Sequence, residues 1–188
     1  MKIRVVLSTL LLATILISSN AFAAKALKGR KTFGLDGIGH YTITSFDSAY
    51  VSFPTSSIKV AGSGFNTYFE YGFADNFSFE TSIGYERIHY AKQSANPNIR
   101  QVIAENFFTI DARGNYYFLS SDKSMVQPYA TVGAGTTISG KSAIPLLDIG
   151  GGTHFFIADN VSIKAQVLYK TAFIHNHLEV GLGVGFHF

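Results

Sequence analysis

The clearest pattern in the chain lies near its end. There Leu178, Val180, Leu182, Val184, Phe186 and Phe188 alternate with Glu179, Gly181, Gly183, Gly185 and His187. A period of two sends one set to each face of a strand, so one face is wholly apolar and the other small, acidic or imidazole. The same alternation recurs upstream. Phe65, Thr67, Phe69, Tyr71 and Phe73 oppose Asn66, Tyr68, Glu70 and Gly72, and Phe77, Phe79, Thr81, Ile83 and Tyr85 oppose Ser78, Glu80, Ser82, Gly84 and Glu86. Comparable stretches begin near Phe108, Pro128, Leu147 and Val161, and a first strand is expected over 33–43, with Phe33, Leu35, Tyr41 and Ile43 on the apolar face.

The pattern predicts eight strands of about 10–14 residues, a length that crosses the roughly 25 Å apolar band of an outer membrane when tilted. Short connections are expected at 74–76, 120–125 and 158–160, and longer ones at 44–61 and 91–104. Those at 139–145 and 171–176 are intermediate. Short turns on one side and longer loops on the other are the habit of outer-membrane barrels. Ala-Asp-Asn occurs at both 74–76 and 158–160, which reads as a weak four-strand repeat or as turn chemistry reached twice, since Asp and Asn suit turns. The expected fold is therefore all-β, an eight-stranded antiparallel up-and-down transmembrane barrel.

Composition sharpens this picture. Hydrophobic residues make up 47% of the 188 and aromatics 14%, yet past the N-terminal segment no apolar run approaches the length of a spanning helix. Alternation is how a barrel hides that hydrophobicity. The N-terminal segment itself has a basic start in Lys2 and Arg4, a run at 5–17 that is apolar except for Ser8, Thr9 and Thr14, and Ala21 and Ala23 at the positions a signal peptidase reads. Residues 1–23 are expected to be a cleaved signal peptide and 24–188 the barrel domain. Of 15 basic residues two fall in the signal, leaving 13 against 12 acidic ones, so the mature chain carries +1 and has no strong pull towards nucleic acid. The absence of cysteine excludes disulfides and thiolate metal sites.

Asn115-Tyr116-Tyr117-Phe118, the run from Pro128 to Gly135, and the ending Val184-Gly185-Phe186-His187-Phe188 resemble the small eight-stranded barrels. These are the barrels related to the transmembrane part of outer membrane protein A and to opacity-type surface proteins. The resemblance implies an outer-membrane location and membrane lipids, including lipopolysaccharide, as surroundings. It also implies that Phe186 and Phe188 form the signal read by the outer-membrane assembly machinery.

An eight-stranded barrel is just wide enough for side chains to fill it. The inward set expected from alternation contains Asp36, Glu70, Glu80, Glu86, Asp111, Asp148 and Glu179, opposed by Arg113, Lys164 and Lys170, with His40, His154, His177 and His187 alongside. Buried charges persist when paired and hydrogen-bonded, so these groups should form a network along the axis. Such a plugged interior disfavours a small-solute channel. His175, His177 and Glu179 have the spacing to share a face and could converge on an ion such as zinc. The plainer reading puts His177 and Glu179 in the network and His175 in a loop, and no metal or cofactor is assigned.

Some related barrels modify lipid A, which would need Ser within reach of a His–acid pair. Here the residue two after His175 is His177 rather than Ser, and His154 has no Ser at such spacing, so no catalytic residues are assigned. The expected outer loops carry Lys59, Lys92, Arg100 and Lys141 against Asp47, a basic rim suited to lipopolysaccharide phosphates or host surfaces. Tyr50, Val51 and Phe53 would make the first loop sticky. The expected function is a non-enzymatic integral outer-membrane protein, structural or adhesin- and antigen-like. A lipid A-modifying enzyme and a small-solute channel are the alternatives.

Overall fold

Alternating side chains and β-favouring residues leave the backbone one economical solution, a sheet closed on itself so that no edge is left unpaired. The computed structural model describes residues 27–44, 61–93, 100–119, 124–140, 142–172 and 176–188, and within them it shows that solution. Eight strands run in chain order: β1 (Lys31–Thr44), β2 (Ala61–Gly72), β3 (Phe77–Gln93), β4 (Arg100–Tyr117), β5 (Val126–Ser139), β6 (Ser142–Ala158), β7 (Val161–Ala172) and β8 (Asn176–His187). Each pairs antiparallel with its sequence neighbours, and β1 pairs with β8 to close the barrel. The expected signal segment, the expected first loop with Tyr50, Val51, Phe53 and Lys59, and also Lys141 and His175 lie outside the described residues.

Two expected connections prove shorter than the sequence reading placed them. The stretch 91–104 is mostly strand, because β3 and β4 stay paired to Gln93 opposite Arg100. Tyr90 and Ala91 stand opposite Ile103 and Val102, strand-favouring residues that continue the ladder past the point where the outward apolar positions stop. The stretch 139–145 is a tight hairpin, with Ser139 opposite Ser142 and Gly140 at φ +57°, a left-handed value that glycine adopts freely. Pro145 is exposed and paired in register with Thr136, so it sits within β6 rather than ending it. In consequence β3, β4 and β6 reach 17 or 18 residues, longer than expected.

The two Ala-Asp-Asn turns are built alike. The carbonyl of Asn76 accepts from the Tyr117 amide at 2.8 Å, and that of Asn160 from the His187 amide at 2.8 Å. Each asparagine thus adds one more rung between the strand it starts and the next one. Asn76 Nδ2 also donates to the Tyr117 carbonyl at 2.7 Å.

The exterior is a band of exposed apolar residues, including Leu35, Ile83, Ile110, Val132, Ile149 and Leu182. Aromatic rings border it. On the side of the short turns, Phe73, Phe77, Tyr116 and Phe118 lie ring to ring at 6.2, 5.0 and 5.4 Å between successive centroids. On the other side Phe65, Tyr85 and Phe108 do the same at 5.9 and 5.1 Å. Phe77 and Tyr85 are eight residues apart on β3, about 27 Å along the strand and about 21 Å in height at a 40° tilt, close to the apolar thickness of an outer membrane. The fold is that of a transmembrane barrel.

Candidate functional site

The chemistry of this molecule is inside the barrel. Each of Asp36, Glu70, Glu80, Glu86, Asp111, Arg113, Asp148, His154, Lys164, Lys170, His177 and Glu179 is buried there, almost wholly shielded from solvent. His40 and His187 are buried with them. Strand parity explains the placement, since each stands at an inward position of its strand, most of them flanked by outward apolar or small residues.

The network is continuous along the axis. Near the short-turn end Glu70 accepts from Tyr117 Oη at 2.6 Å, from Asn115 Nδ2 at 3.3 Å and from the Ser78 hydroxyl. Asn115 also reaches Glu80 at 3.4 Å, which hands the chain to the middle of the barrel. There Lys164 Nζ lies 2.9 Å from Glu80 and 3.5 Å from Asp36, and stands 3.6 Å from the centre of the Tyr68 ring. Arg113 is the hub. Its guanidinium donates to Glu80 at 3.0 Å, Asp111 at 2.7 Å, Asp148 at 3.1 Å and Ser82 at 3.2 Å. Lys170 Nζ bridges Asp111 at 3.0 Å and Glu179 at 2.8 Å, carrying the network towards the outer end. There His40 Nε2 lies 3.3 Å from Glu86 Oε2, and the His40 and His177 rings meet edge to face at 5.1 Å.

Several inward groups were not singled out by alternation. Arg30, just before β1, is 1% exposed and donates to Gln127 at 2.7 Å, with its guanidinium 5.3 Å from the Phe156 ring centre. It is a fourth buried base set against the seven acids. Leu27 packs with Tyr117 and Tyr129 and shuts the same end of the barrel. Ile38, Phe107, Leu146 and Leu168 are buried among the polar residues. Parity places these last four inward, but nothing in their apolar character marks them as lumen residues.

His154 has no serine two residues along its own strand, yet the structure brings one to it from the next strand. His154 Nδ1 lies 2.9 Å from Ser162 Oγ across the β6–β7 hairpin, and its Nε2 lies 3.7 Å from Glu70 Oε2. Sequence spacing along one strand could not reveal this, because the partners come from two strands. Ser162 Oγ is also 2.7 Å from His187 Nε2, and His187 Nδ1 is 2.9 Å from Thr32 Oγ1. A single proton order satisfies the row: Thr32 donates to His187, His187 to Ser162, Ser162 to His154, and His154 points its remaining N–H at Glu70. Ser162 and His154 are both fully buried, with Leu27, Tyr117, Phe156 and Arg30 packed at this end.

Phe186 and Phe188 face outward, 51% and 58% exposed, where β8 meets β1. The Phe188 amide and carbonyl pair with Lys31 at 2.9 and 3.0 Å, extending the closing ladder past His187.

No family model and no curated protein sequence matches the chain. Solved structures do. The outer membrane protein OprG from Pseudomonas aeruginosa superposes at a TM-score of 0.67 with 11% identity, covering 89% of this chain and 99% of OprG. Neisserial surface protein A gives 0.60 with 16% identity over 86% of this chain and 100% of its own. Ail, the attachment invasion locus protein of Yersinia pestis, gives 0.58 with 18% identity over 86% and 99%. At these identities the likeness is one of fold. The chain has the fold of the small eight-stranded outer-membrane β-barrels.

Proposed function

We propose that this is an integral outer-membrane protein without enzymatic activity, exported by a signal peptide cleaved after Ala23, whose barrel is an anchor for the connections at its outer end. The observation that supports this reading is the buried ion-pair network joining Asp36, Glu80, Asp111, Asp148 and Glu179 to Arg113, Lys164 and Lys170, which fills the described lumen with paired charge beneath an apolar exterior. An interior so used is a scaffold, and contact with other molecules is left to the outer connections. Assembly would rest on Phe186 and Phe188, which stand exposed on the lipid side beside the closing seam.

The basic rim supplies a chemistry for contact. Lys92 and Arg100 lie at the outer ends of β3 and β4, and Lys59 and Lys141 fall in the first and third outer connections. One solved structure of Ail is a complex with the heparin analogue sucrose octasulfate. On this reading the rim here takes the same broad class of ligand, sulfated or phosphorylated polysaccharide at cell or bacterial surfaces, through screened electrostatic attraction.

Three measurements separate the readings. Planar bilayers holding the folded protein should stay silent, and discrete current steps would establish a channel instead. Lipid A from cells with and without the protein should give identical mass spectra, whereas loss or gain of one acyl chain would establish an enzyme. Folded protein should be retained on immobilised heparin and released by salt, with retention lost when Lys59, Lys92, Arg100 and Lys141 are together changed to Glu. Retention that survives those changes would refute the rim as the contact surface.

A further inference from the structure

At the outer end of the lumen the ion-pair network ends in a cluster of imidazole and carboxylate groups. His40 stands opposite Glu179 across the β1–β8 seam, and His177 stands one inward position further out, opposite Thr42. One ligand atom from each of His40, His177 and Glu179 lies within 4.8 Å of the others, and all three side chains are buried. Glu86 joins from β3. Its Oε1 accepts from Thr109 at 3.2 Å, while Oε2 turns to His40 Nε2 at 3.3 Å. Among the described residues His40 Nδ1 is buried without a hydrogen-bond partner. Gly62 makes room for the ring, since a Cβ there would sit 3.2 Å from His40 Cδ2.

We propose that this cluster is a metal site. It would hold one divalent transition-metal ion of the zinc class between the imidazoles of His40 and His177 and the carboxylate of Glu179, with Glu86 as a fourth donor. Two nitrogens and carboxylate oxygens are a ligand set such ions accept, at about 2.0–2.2 Å per bond in a tetrahedron. Donors in that tetrahedron stand about 3.4 Å apart, so the His40, His177 and Glu179 atoms must close by up to about 1.4 Å, and Glu86, which is outside that 4.8 Å cluster, must swing in from its place beside His40. Charge favours the ion as well. Among the described residues the lumen buries seven acids against Arg30, Arg113, Lys164 and Lys170, a negative excess that a dication reduces. Among the described residues Lys170 is the opposing cation paired directly with the site, 2.8 Å from Glu179 Oε2. It claims one carboxylate oxygen and leaves the other to the ion, and its charge sets the affinity below that of an all-anionic site.

Of the motif residues expected to share an ion, His177 and Glu179 stand in this cluster, joined by His40 from the far side of the closing seam, while His175 lies outside the described residues.

The test uses the full mature chain, free of any histidine tag, folded in detergent micelles and titrated with Co2+. Wild type should develop the visible absorption of a tetrahedral cobalt site at one ion per chain, displaced by Zn2+. His40→Gln and His177→Gln should each weaken binding by at least about tenfold, as loss of a direct ligand must exceed the loss of an outer-shell partner. His175→Gln should leave affinity unchanged. Unboiled gel mobility shows whether each variant has folded. A measurement on wild type alone keeps the proposal exposed if the variants do not fold: Zn2+ should shift the imidazole NMR signals of two of the six histidines. The proposal is overturned by absence of a cobalt band, by binding that survives both ligand variants or is lost in His175→Gln, or by zinc shifts absent or confined to histidines other than His40 and His177.

Discussion

Arg113→Met tests the central physical claim, that the lumen is dry and held by paired charge. The change keeps the length and much of the volume of the side chain while removing the guanidinium. Four hydrogen bonds go with it, three to the carboxylates of Glu80, Asp111 and Asp148 and one to Ser82. Glu80 keeps Lys164 at 2.9 Å and Asp111 keeps Lys170 at 3.0 Å, but Asp148 has no other cation within ion-pair distance among the described residues. Removing one partner of a buried pair costs about 3–5 kcal/mol, because a charge is stranded out of water. That corresponds to about two to three and a half powers of ten in the folding constant. The chain has no tryptophan, so folding in lipid vesicles across a urea series is best read from circular dichroism and from the mobility difference between unboiled and boiled samples. Adding Asp148→Asn to Arg113→Met should return about 0.5–3 kcal/mol, the range of coupling between contacting residues. A cost for Arg113→Met below about 1 kcal/mol, the value of a solvated surface pair, would refute the reasoning and point to a water-filled lumen.

Other changes probe the exterior and the packing. Leu182→Arg puts a charge on the lipid face near the middle of β8, where Leu182 is 64% exposed, and should cost about 2–4 kcal/mol of folding in vesicles. Gly183→Ala would place a Cβ 2.1 Å from both Asp36 Oδ1 and the Leu35 carbonyl, forcing the closing seam apart. A loss of about 1–3 kcal/mol in the same urea series is expected. Tyr117→Phe and Tyr68→Phe should differ although both remove one buried hydroxyl. Tyr117 donates to the Glu70 carboxylate and should lose about 1.5–3 kcal/mol, whereas Tyr68 Oη has no hydrogen-bond partner among the described residues and its removal should be neutral or stabilising.

Alternation made the barrel legible because both of its faces carry information. Leu182 between Gly181 and Gly183, or Ile110 between Thr109 and Asp111, tells which side meets lipid without any knowledge of the neighbouring strand. Parity also gives the membership of the lumen. The pairing within the lumen was not legible, because it depends on how far each strand is staggered against the next. Arg113 reaches Asp148 two strands away, and Lys164 reaches Glu80 across the cavity from 84 residues earlier. Arg30 escaped notice because it precedes the first alternating run, and its inward turn is fixed by the pairing of Gly29 and Arg30 with Gly72. The ends of β3 and β4 escaped for the opposite reason. Above the membrane the outward positions turn polar, as at Arg87 and Asn106, so the apolar signal stops while the ladder goes on.

The row from Thr32 to Glu70 shows why contact geometry is a weaker guide to activity in a barrel than in a cleft. Ser162, His154 and Glu70 stand in the order that a hydrolase uses, at 2.9 and 3.7 Å. A nucleophile acts only if a substrate carbonyl can come within about 3–3.5 Å of it with an oxyanion site beyond. The Ser162 hydroxyl is already enclosed by two imidazoles, and Phe156 lies 4.7 Å from the His187 ring on the same side. Opening that space would move Tyr117, which packs on His154, away from the Glu70 carboxylate it donates to, at a cost of about 1.5–3 kcal/mol. The groups that make the row look reactive also take part in the hydrogen bonding and packing of that end of the lumen. The same economy explains why the outer cluster is different: His40 and Glu86 close no such row, and an ion there would complete the network without breaking it.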